Sequence, residues 1–173
     1  MTNNQMLIRA ASLTSLTTFV ERAMSAMIPG YAPFEFVSLV AAYIEEPILA
    51  SQPGRMVINI PPRHGKTFLL IAVAAWFLGK FPKREVLLMV HSQSLAVDIS
   101  GKLAVLLNSG VFKETFTKFK LQQGREGMTD FRTIQGGGFK AGSFETGITG
   151  RGTDLLLLDD TLSAQHAYRE ATR

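Results

Sequence analysis

The chain has 173 residues, of which 46% are hydrophobic and 18% are charged, and its formal net charge is +4. This composition is typical of a globular protein and excludes an intrinsically disordered chain. The sequence contains no cysteine, which excludes disulfide bonds, thiolate zinc sites and thiol catalysis. We expect no membrane span, because the longest apolar stretch, 68–79, is too short, and no secretion signal in 1–16.

The first third of the chain predicts two helical segments and a strand. Residues 6–28 have helical periodicity and end at Pro29-Gly30, a pair that stops helices. Residues 34–50 predict another helix, disturbed at Pro47. The run MVINI, 56–60, is short, rich in strand-forming residues and bounded by turns, which predicts a buried strand.

The remaining elements alternate between helix and strand. Residues 66–80 and 93–108 predict helices, and 85–90 predicts a buried strand between them. In 131–144, two strand-like runs flank three glycines, as in a hairpin. The run 154–160 predicts a third buried strand. This order, with strands apolar on both faces, predicts an α/β fold with a mostly parallel sheet flanked by helices.

The sequence PPRHGKT, 61–67, carries positive charge at the predicted start of a helix. A helix start has partial positive charge, so Lys66 is unfavourable there unless an anion binds. A bound phosphate would neutralise the lysine charge and accept hydrogen bonds from the N–H groups at the helix start. Gly65 permits close backbone approach, and the Thr67 hydroxyl suits Mg²⁺. The pattern departs from G-x-x-x-x-G-K-[ST] at Ile60, and an ordinary strand–helix turn is the alternative interpretation.

Two acidic residues follow the third predicted strand. A nucleotide site needs a carboxylate that holds Mg²⁺ and a second acidic group that orients the attacking water. Asp159 suits the first role, and Asp160 suits the second. The alternative is that the pair only ends the strand and caps the next turn.

Five other residues have simpler predicted roles. Trp76 and Phe77 lie within an apolar helix and are expected in the core. Ser92 is expected to cap the helix 93–108 at its N-terminus. Contact of Ser92 with DNA is a second interpretation, implied only by the family resemblance given next. Tyr31 is a candidate for packing near an adenine base, as is Phe34.

These motifs occur in an order that resembles one known family. The segments GRMVINIPPRHGKT, WFLGKFPKREVLLMVHSQSLAVDIS and GGGFKAGSFETGITGRGTDLLLLDD look like the N-terminal ATPase half of a tailed-phage terminase large subunit. The resemblance covers roughly residues 29–163, and its most specific parts are PPRHGKT, ITGRG and LLLLDD. It implies a P-loop NTPase fold of the additional-strand class, incomplete at its C-terminus, with ATP and Mg²⁺ as cofactors.

The resemblance also implies partners and a place of action. The expected partners are double-stranded DNA, the portal protein of the procapsid, a small terminase subunit and further copies of the chain on the portal. The expected location is the cytoplasm of a bacterial host, with transient binding at the procapsid portal.

The resemblance assigns roles to individual residues. PPRHGKT corresponds to the Walker A loop and LLLLDD to Walker B. The residues implied in nucleotide binding are Pro62, Arg63, His64, Gly65, Lys66 and Thr67. Lys66 would contact the β- and γ-phosphates, while Thr67 and Asp159 would hold Mg²⁺. Asp160 would activate water, and Arg63 would reach the γ-phosphate, a role that suits its permanent charge and bidentate geometry. The alternative for Arg63 is a loop arginine that binds backbone carbonyls, and His64 is expected to be a packed or solvated loop residue and not an acid–base group.

The implied domain organisation is an N-terminal helical segment, 1–28, followed by a partial P-loop ATPase domain, 29–173. The nuclease domain of the family has no counterpart in the sequence, so we expect no DNA cleavage. Two alternatives stay open: a truncated, non-catalytic prophage remnant, and another P-loop ATPase such as a helicase-like DNA translocase.

Overall fold

The computed structural model describes residues 2–50, 53–122, 127, 129–144 and 152–161. The elements in chain order are α1 (Asn3–Thr14), α2 (Leu16–Met27), α3 (Glu35–Ala50), α4 (Lys66–Lys80), β1 (Glu85–Val90), α5 (Gln93–Asn108), α6 (Gly110–Thr115), β2 (Asp130–Arg132), β3 (Gly138–Ser143) and β4 (Leu155–Leu158). The fold is therefore α/β, as predicted. None of the described helices is long and apolar enough to cross a membrane.

The chain divides into two compact units. The first comprises Met1–Lys80 and Leu103–Lys118, and the second comprises Phe81–Lys102 and Phe119–Arg173. The first unit contains the helices α1 to α4 and α6, and the second contains the four strands and the start of α5. The predicted boundary between 1–28 and 29–173 stays a prediction.

The predicted helix at 6–28 is in fact two helices, because Ser15 interrupts it with extended backbone at φ −114° and ψ 124°. The Ser15 hydroxyl accepts a hydrogen bond from the Thr18 N–H at 3.4 Å and so caps α2. The carboxylate of Glu45 on α3 accepts the Leu16 N–H at 3.0 Å. A cap of this kind satisfies backbone groups that a continuous helix would have used internally. The predicted helix over 34–50 is confirmed as α3, which continues through Pro47.

The core of the first unit forms around α4. This helix is apolar on all sides, and every residue from Ile71 to Leu78 is buried. Trp76 and Phe77 belong to this core, as predicted, and the Trp76 indole N–H donates to the Ser12 carbonyl at 3.1 Å. Burial of each large apolar side chain contributes about 1.5–3 kcal/mol, so α4 holds the unit together.

The segment 56–60 is not a strand, and this prediction is wrong. Met56 is 48% exposed and Val57 is 90% exposed, so the segment is not buried either. A strand exists only where a neighbouring strand accepts and donates its backbone hydrogen bonds. Among the described residues, no strand pairs with 56–60. The β-forming composition of MVINI is therefore not sufficient to make it a strand.

The four strands of the second unit form one mixed sheet in the order β2-β3-β1-β4. β1 is parallel to β3, with Val90 opposite Ser143, and parallel to β4, with Met89 opposite Leu158. β2 is antiparallel to β3, which confirms the predicted hairpin around the three glycines. Gly136 at its tip has φ +99°, a conformation that favours glycine.

The predicted strand at 85–90 is confirmed as the largely buried β1, but the third predicted strand is buried only in part. In β4, Leu157 is 8% exposed, whereas Leu156 is 49% and Leu158 is 53% exposed. Side chains alternate between the two faces of a strand, and β4 lies at the end of the strand order with one described neighbour. A run of four leucines predicts a strand that is buried on both faces, but the burial of each face depends on the position of the strand in the sheet.

Candidate functional site

The loop 61–65 leads directly into α4, and Lys66 is the first residue of that helix. The Gly65 carbonyl accepts a hydrogen bond from the Leu69 N–H at 2.9 Å, which fixes the first helical turn. Lys66 and Thr67 therefore both lie in the first turn, where the backbone dipole is positive. The first turn contains no acidic residue. This arrangement favours binding of an anion at the start of α4.

Two residues of this loop have left-handed backbone. Arg63 has φ 66° and Gly65 has φ 78°. For an L-amino acid other than glycine, this conformation costs about 1–2 kcal/mol. The backbone favours glycine at position 65, and a Cβ added there would lie 2.8 Å from the Met24 Cε atom, so this methyl group would have to move. Left-handed residues within a turn occur in backbone concavities that bind anions.

His64 is held within the loop by its neighbours. Its Nδ1 atom lies 2.8 Å from the Pro62 carbonyl, and since a carbonyl only accepts, Nδ1 carries the proton. The imidazole centroid lies 6.1 Å from the ring of Phe36. Phe36 stacks on Phe34 at 5.7 Å, and Phe34 meets Tyr31 edge-on at 6.3 Å. An aromatic row therefore extends from the loop to Tyr31.

Tyr31 is at the far end of this row and is partly removed from water. Burial raises the pKa of the Tyr31 phenol above its ordinary value of 10.0. The negative charge of Glu21 also raises this pKa. The phenol therefore stays protonated at neutral pH. Phe34 is 48% exposed, so it is the more accessible of the two candidates for contact with a base.

The acidic pair lies at the end of β4 in the second unit. Asp159 is 2% exposed, and its N–H donates to the Met89 carbonyl at 3.1 Å, which continues the pairing with β1. Asp160 is exposed and has φ 40°. Its carbonyl accepts hydrogen bonds from the backbone N–H of His91 at 3.1 Å and from His91 Nδ1 at 2.9 Å. Asp160 therefore adopts the second left-handed non-glycine conformation in the part of the chain that the structure describes.

The carboxyl ends of parallel strands meet at one edge of the sheet. Here that edge brings together Val90, Ser143 and Asp159, followed by His91 and Asp160. In open α/β sheets, ligands bind at this edge. His91 is not among the predicted candidates, although a histidine between a predicted strand end and a predicted helix start is a signal for a site residue.

Ser92, the next residue, caps α5 as predicted. Its hydroxyl accepts a hydrogen bond from the Leu95 N–H at 3.4 Å, and its carbonyl accepts the Ala96 N–H at 3.1 Å. The contact to DNA that was the second interpretation of Ser92 stays a prediction.

Of the motif ITGRG, residues 148–151 lie outside the described part of the chain, as does Gly147. Gly152 is described, and its φ lies outside the left-handed region.

Two of the predicted site residues carry oxygen atoms of the kind that bind Mg²⁺ in nucleotide sites. Mg²⁺ is usually bound through one or two carboxylates or hydroxyls, substrate phosphates and water, and not by a dedicated cage of protein ligands. The Thr67 hydroxyl and the buried Asp159 carboxylate are ligands of this kind. Within the described ranges, there is no cluster of three or more histidine, aspartate or glutamate residues that could hold a metal by itself.

No family model, no curated protein and no solved structure matches this chain. A functional assignment therefore depends on the residues of the two candidate regions and on their local geometry.

Proposed function

We propose that the chain is the ATPase portion of a DNA-packaging motor of the terminase large-subunit type, which uses ATP hydrolysis to move double-stranded DNA into a procapsid. The observation that carries this proposal is the loop before α4. It combines left-handed backbone at Arg63 and Gly65 with Lys66 and Thr67 as the first two helical residues. These features together favour a phosphate-binding loop within a P-loop fold of the additional-strand class.

Three residues at the loop and the start of α4 have distinct physical roles in the proposed phosphate binding. The Lys66 ammonium neutralises charge on the β- and γ-phosphates, and the positive end of the α4 dipole adds to it. Gly65 lets the backbone approach the phosphate, because a side chain there would be strained. Arg63 is exposed, and strained residues are concentrated at functional sites. Its guanidinium suits the γ-phosphate, where charge accumulates during phosphoryl transfer.

The acidic pair completes the proposed chemistry. Bound Mg²⁺ would neutralise charge on the phosphate oxygens of ATP. The Asp159 carboxylate at the end of β4 would hold this ion together with the Thr67 hydroxyl. Asp160 is exposed, so its carboxylate is accessible to the water that attacks the γ-phosphate and can accept a proton from it.

The resemblance supplies the remaining parts of the proposal. The polyanionic substrate is double-stranded DNA, and the net charge of +4 is compatible with it. The protein partners are the procapsid portal, a small terminase subunit and further copies of this chain. The motor would act in the cytoplasm of a bacterial host and bind transiently at the portal.

One observation favours a second candidate, a non-catalytic remnant that binds nucleotide weakly or not at all. In P-loop proteins, the phosphate-binding loop follows a strand. The segment 56–60 precedes the loop here, yet it is not a strand, and Val57 is 90% exposed. A loop without this support would be less well positioned for chemistry.

Calorimetric titration of Mg-ATP into the 173-residue chain distinguishes the two candidates. We expect binding that weakens at least about tenfold in Lys66→Ala, because a charge-assisted contact contributes about 1.5–3 kcal/mol. Lys102→Ala is the matched control, since Lys102 pairs with Asp98 at 2.6 Å on an exposed helix surface. Absence of Mg-ATP binding by a folded wild-type chain would favour the remnant over the motor.

Turnover tests the role of the acidic pair. We expect Asp160→Asn to lower ATP hydrolysis about 100-fold, the usual contribution of an acid–base group. Asparagine tolerates left-handed backbone, so this substitution removes charge without changing the local conformation. Asp98→Asn removes an exposed carboxylate elsewhere and should leave turnover unchanged. Equal turnover in Asp160→Asn and the wild type would exclude Asp160 as the water-activating group.

A further inference from the structure

His91 makes two hydrogen bonds to one backbone atom of Asp160. Its main-chain N–H and its Nδ1 atom both approach the Asp160 carbonyl oxygen, at 3.1 and 2.9 Å. A carbonyl oxygen only accepts hydrogen bonds, so Nδ1 must donate. The ring is therefore protonated at Nδ1 while it makes this contact, and the two donors share one acceptor. No sequence motif links these residues, which are 69 positions apart.

The conformation of Asp160 needs such support. Its φ of 40° lies in a region that L-amino acids rarely adopt, and conformations of this kind persist only where the surroundings hold them. The direction of the Asp160 side chain depends on this backbone conformation, because Cβ is fixed by the positions of N, Cα and the carbonyl carbon. A change at the carbonyl therefore redirects the carboxylate.

His91 itself lies at a well-fixed point of the second unit. It directly follows β1, whose last residue, Val90, pairs with Ser143 of β3. The Val90 carbonyl also accepts the Phe144 N–H at 3.2 Å. On its other side, Ser92 caps α5. The sheet and the helix start therefore fix the residues on both sides of His91.

We propose that His91 is a positioning residue for Asp160: its two hydrogen bonds hold the left-handed backbone that aims the Asp160 carboxylate at the attacking water. This inference rests on the proposed ATP hydrolysis. His91 acts through Asp160 and needs no contact with nucleotide. Its removal should therefore slow the chemical step and leave the affinity for ATP unchanged.

The test compares wild type, His91→Leu and His91→Asn in the full 173-residue chain. Asparagine keeps an N–H donor close to the position of Nδ1, whereas leucine keeps the bulk without a donor. We expect His91→Leu to lower kcat for ATP at least about fivefold, the effect of one lost hydrogen bond, with KM unchanged. We expect His91→Asn to recover most of this loss. Partial unfolding would also lower the apparent kcat without changing KM, so kcat is calculated per folded molecule, with the folded fraction of each variant measured by circular dichroism. Recovery by a donor at equal folded fraction then separates positioning from a loss of fold.

Two results would overturn the inference and leave the proposed function intact. One is wild-type kcat in His91→Leu, and the other is a kcat in His91→Asn as low as in His91→Leu. Absence of any Mg-ATP turnover in the wild type would count against the proposed function, and this inference would fall with it.

A second measurement remains decisive even if His91→Leu does not fold. Nitrogen-15 NMR of the wild-type imidazole should show a proton on Nδ1 of His91. A neutral ring protonated only at Nε2 would overturn the inference.

Discussion

Gly65→Ala is the substitution whose cost the structure defines most clearly. Gly65 has φ +78°, and alanine in this conformation costs about 1 kcal/mol. The new Cβ would also lie 2.8 Å from the Met24 Cε atom, which must move. Met24 is 1% exposed, so its methyl group moves within a packed core, at a cost of about 1 kcal/mol more. We expect Gly65→Ala to lower the free energy of unfolding by about 2 kcal/mol.

Gly30→Ala separates these two contributions. Gly30 has φ +71°, close to that of Gly65, but a Cβ there would meet nothing within 4 Å. It belongs to the same unit, so we expect a loss of about 1 kcal/mol from backbone conformation alone. Urea unfolding followed by Trp76 fluorescence measures both variants, because Trp76 is buried in the same unit. An equal cost for the two variants would refute the packing contribution, and no cost for either would refute the conformational one.

Two further predictions concern the first unit. Arg63→Gly removes a strained conformation at φ 66°, so it should raise the free energy of unfolding by about 0.5–1 kcal/mol while it lowers ATP turnover. Greater stability with undiminished turnover would mean that the Arg63 side chain has no part in catalysis. Trp76→Phe removes the indole N–H that donates to the Ser12 carbonyl, and it should cost about 1–3 kcal/mol in urea unfolding followed by circular dichroism. A loss below the error of the measurement would show that Ser12 finds another donor.

Local patterns were enough to predict several elements. The apolar helix that became α4 begins at Lys66 and ends at Lys80, as its sequence indicates. The helix 93–108 and its cap at Ser92 also follow from local signals, since a capping hydroxyl bonds within its own helical turn. The same locality explains why the break at Ser15 was missed. The Glu45 carboxylate that supports it comes from another helix.

The candidate site also has some features that follow from the local sequence and others that do not. The positions of Lys66 and Thr67 at a helix start are local properties of PPRHGKT. The left-handed conformation of Arg63 is not a local property of the sequence, because arginine has no intrinsic preference for this conformation. His91 was missed because its importance depends on a carbonyl that lies far away in the sequence. The structure therefore adds strain and long-range hydrogen bonds to a site whose residue types were already visible.

The sequence by itself determined where α4 and α5 begin, which residues form the core of α4, and which residue types are candidates for binding phosphate and Mg²⁺. These properties depend on side-chain periodicity and on hydrogen bonds between residues that are close in the sequence. Only the tertiary structure decided whether strand-like segments pair. It left 56–60 exposed, and it put β4 beside β1 with Leu156 and Leu158 uncovered. The physical reason is that a helix satisfies its backbone internally, whereas a strand needs a partner that the local sequence does not specify.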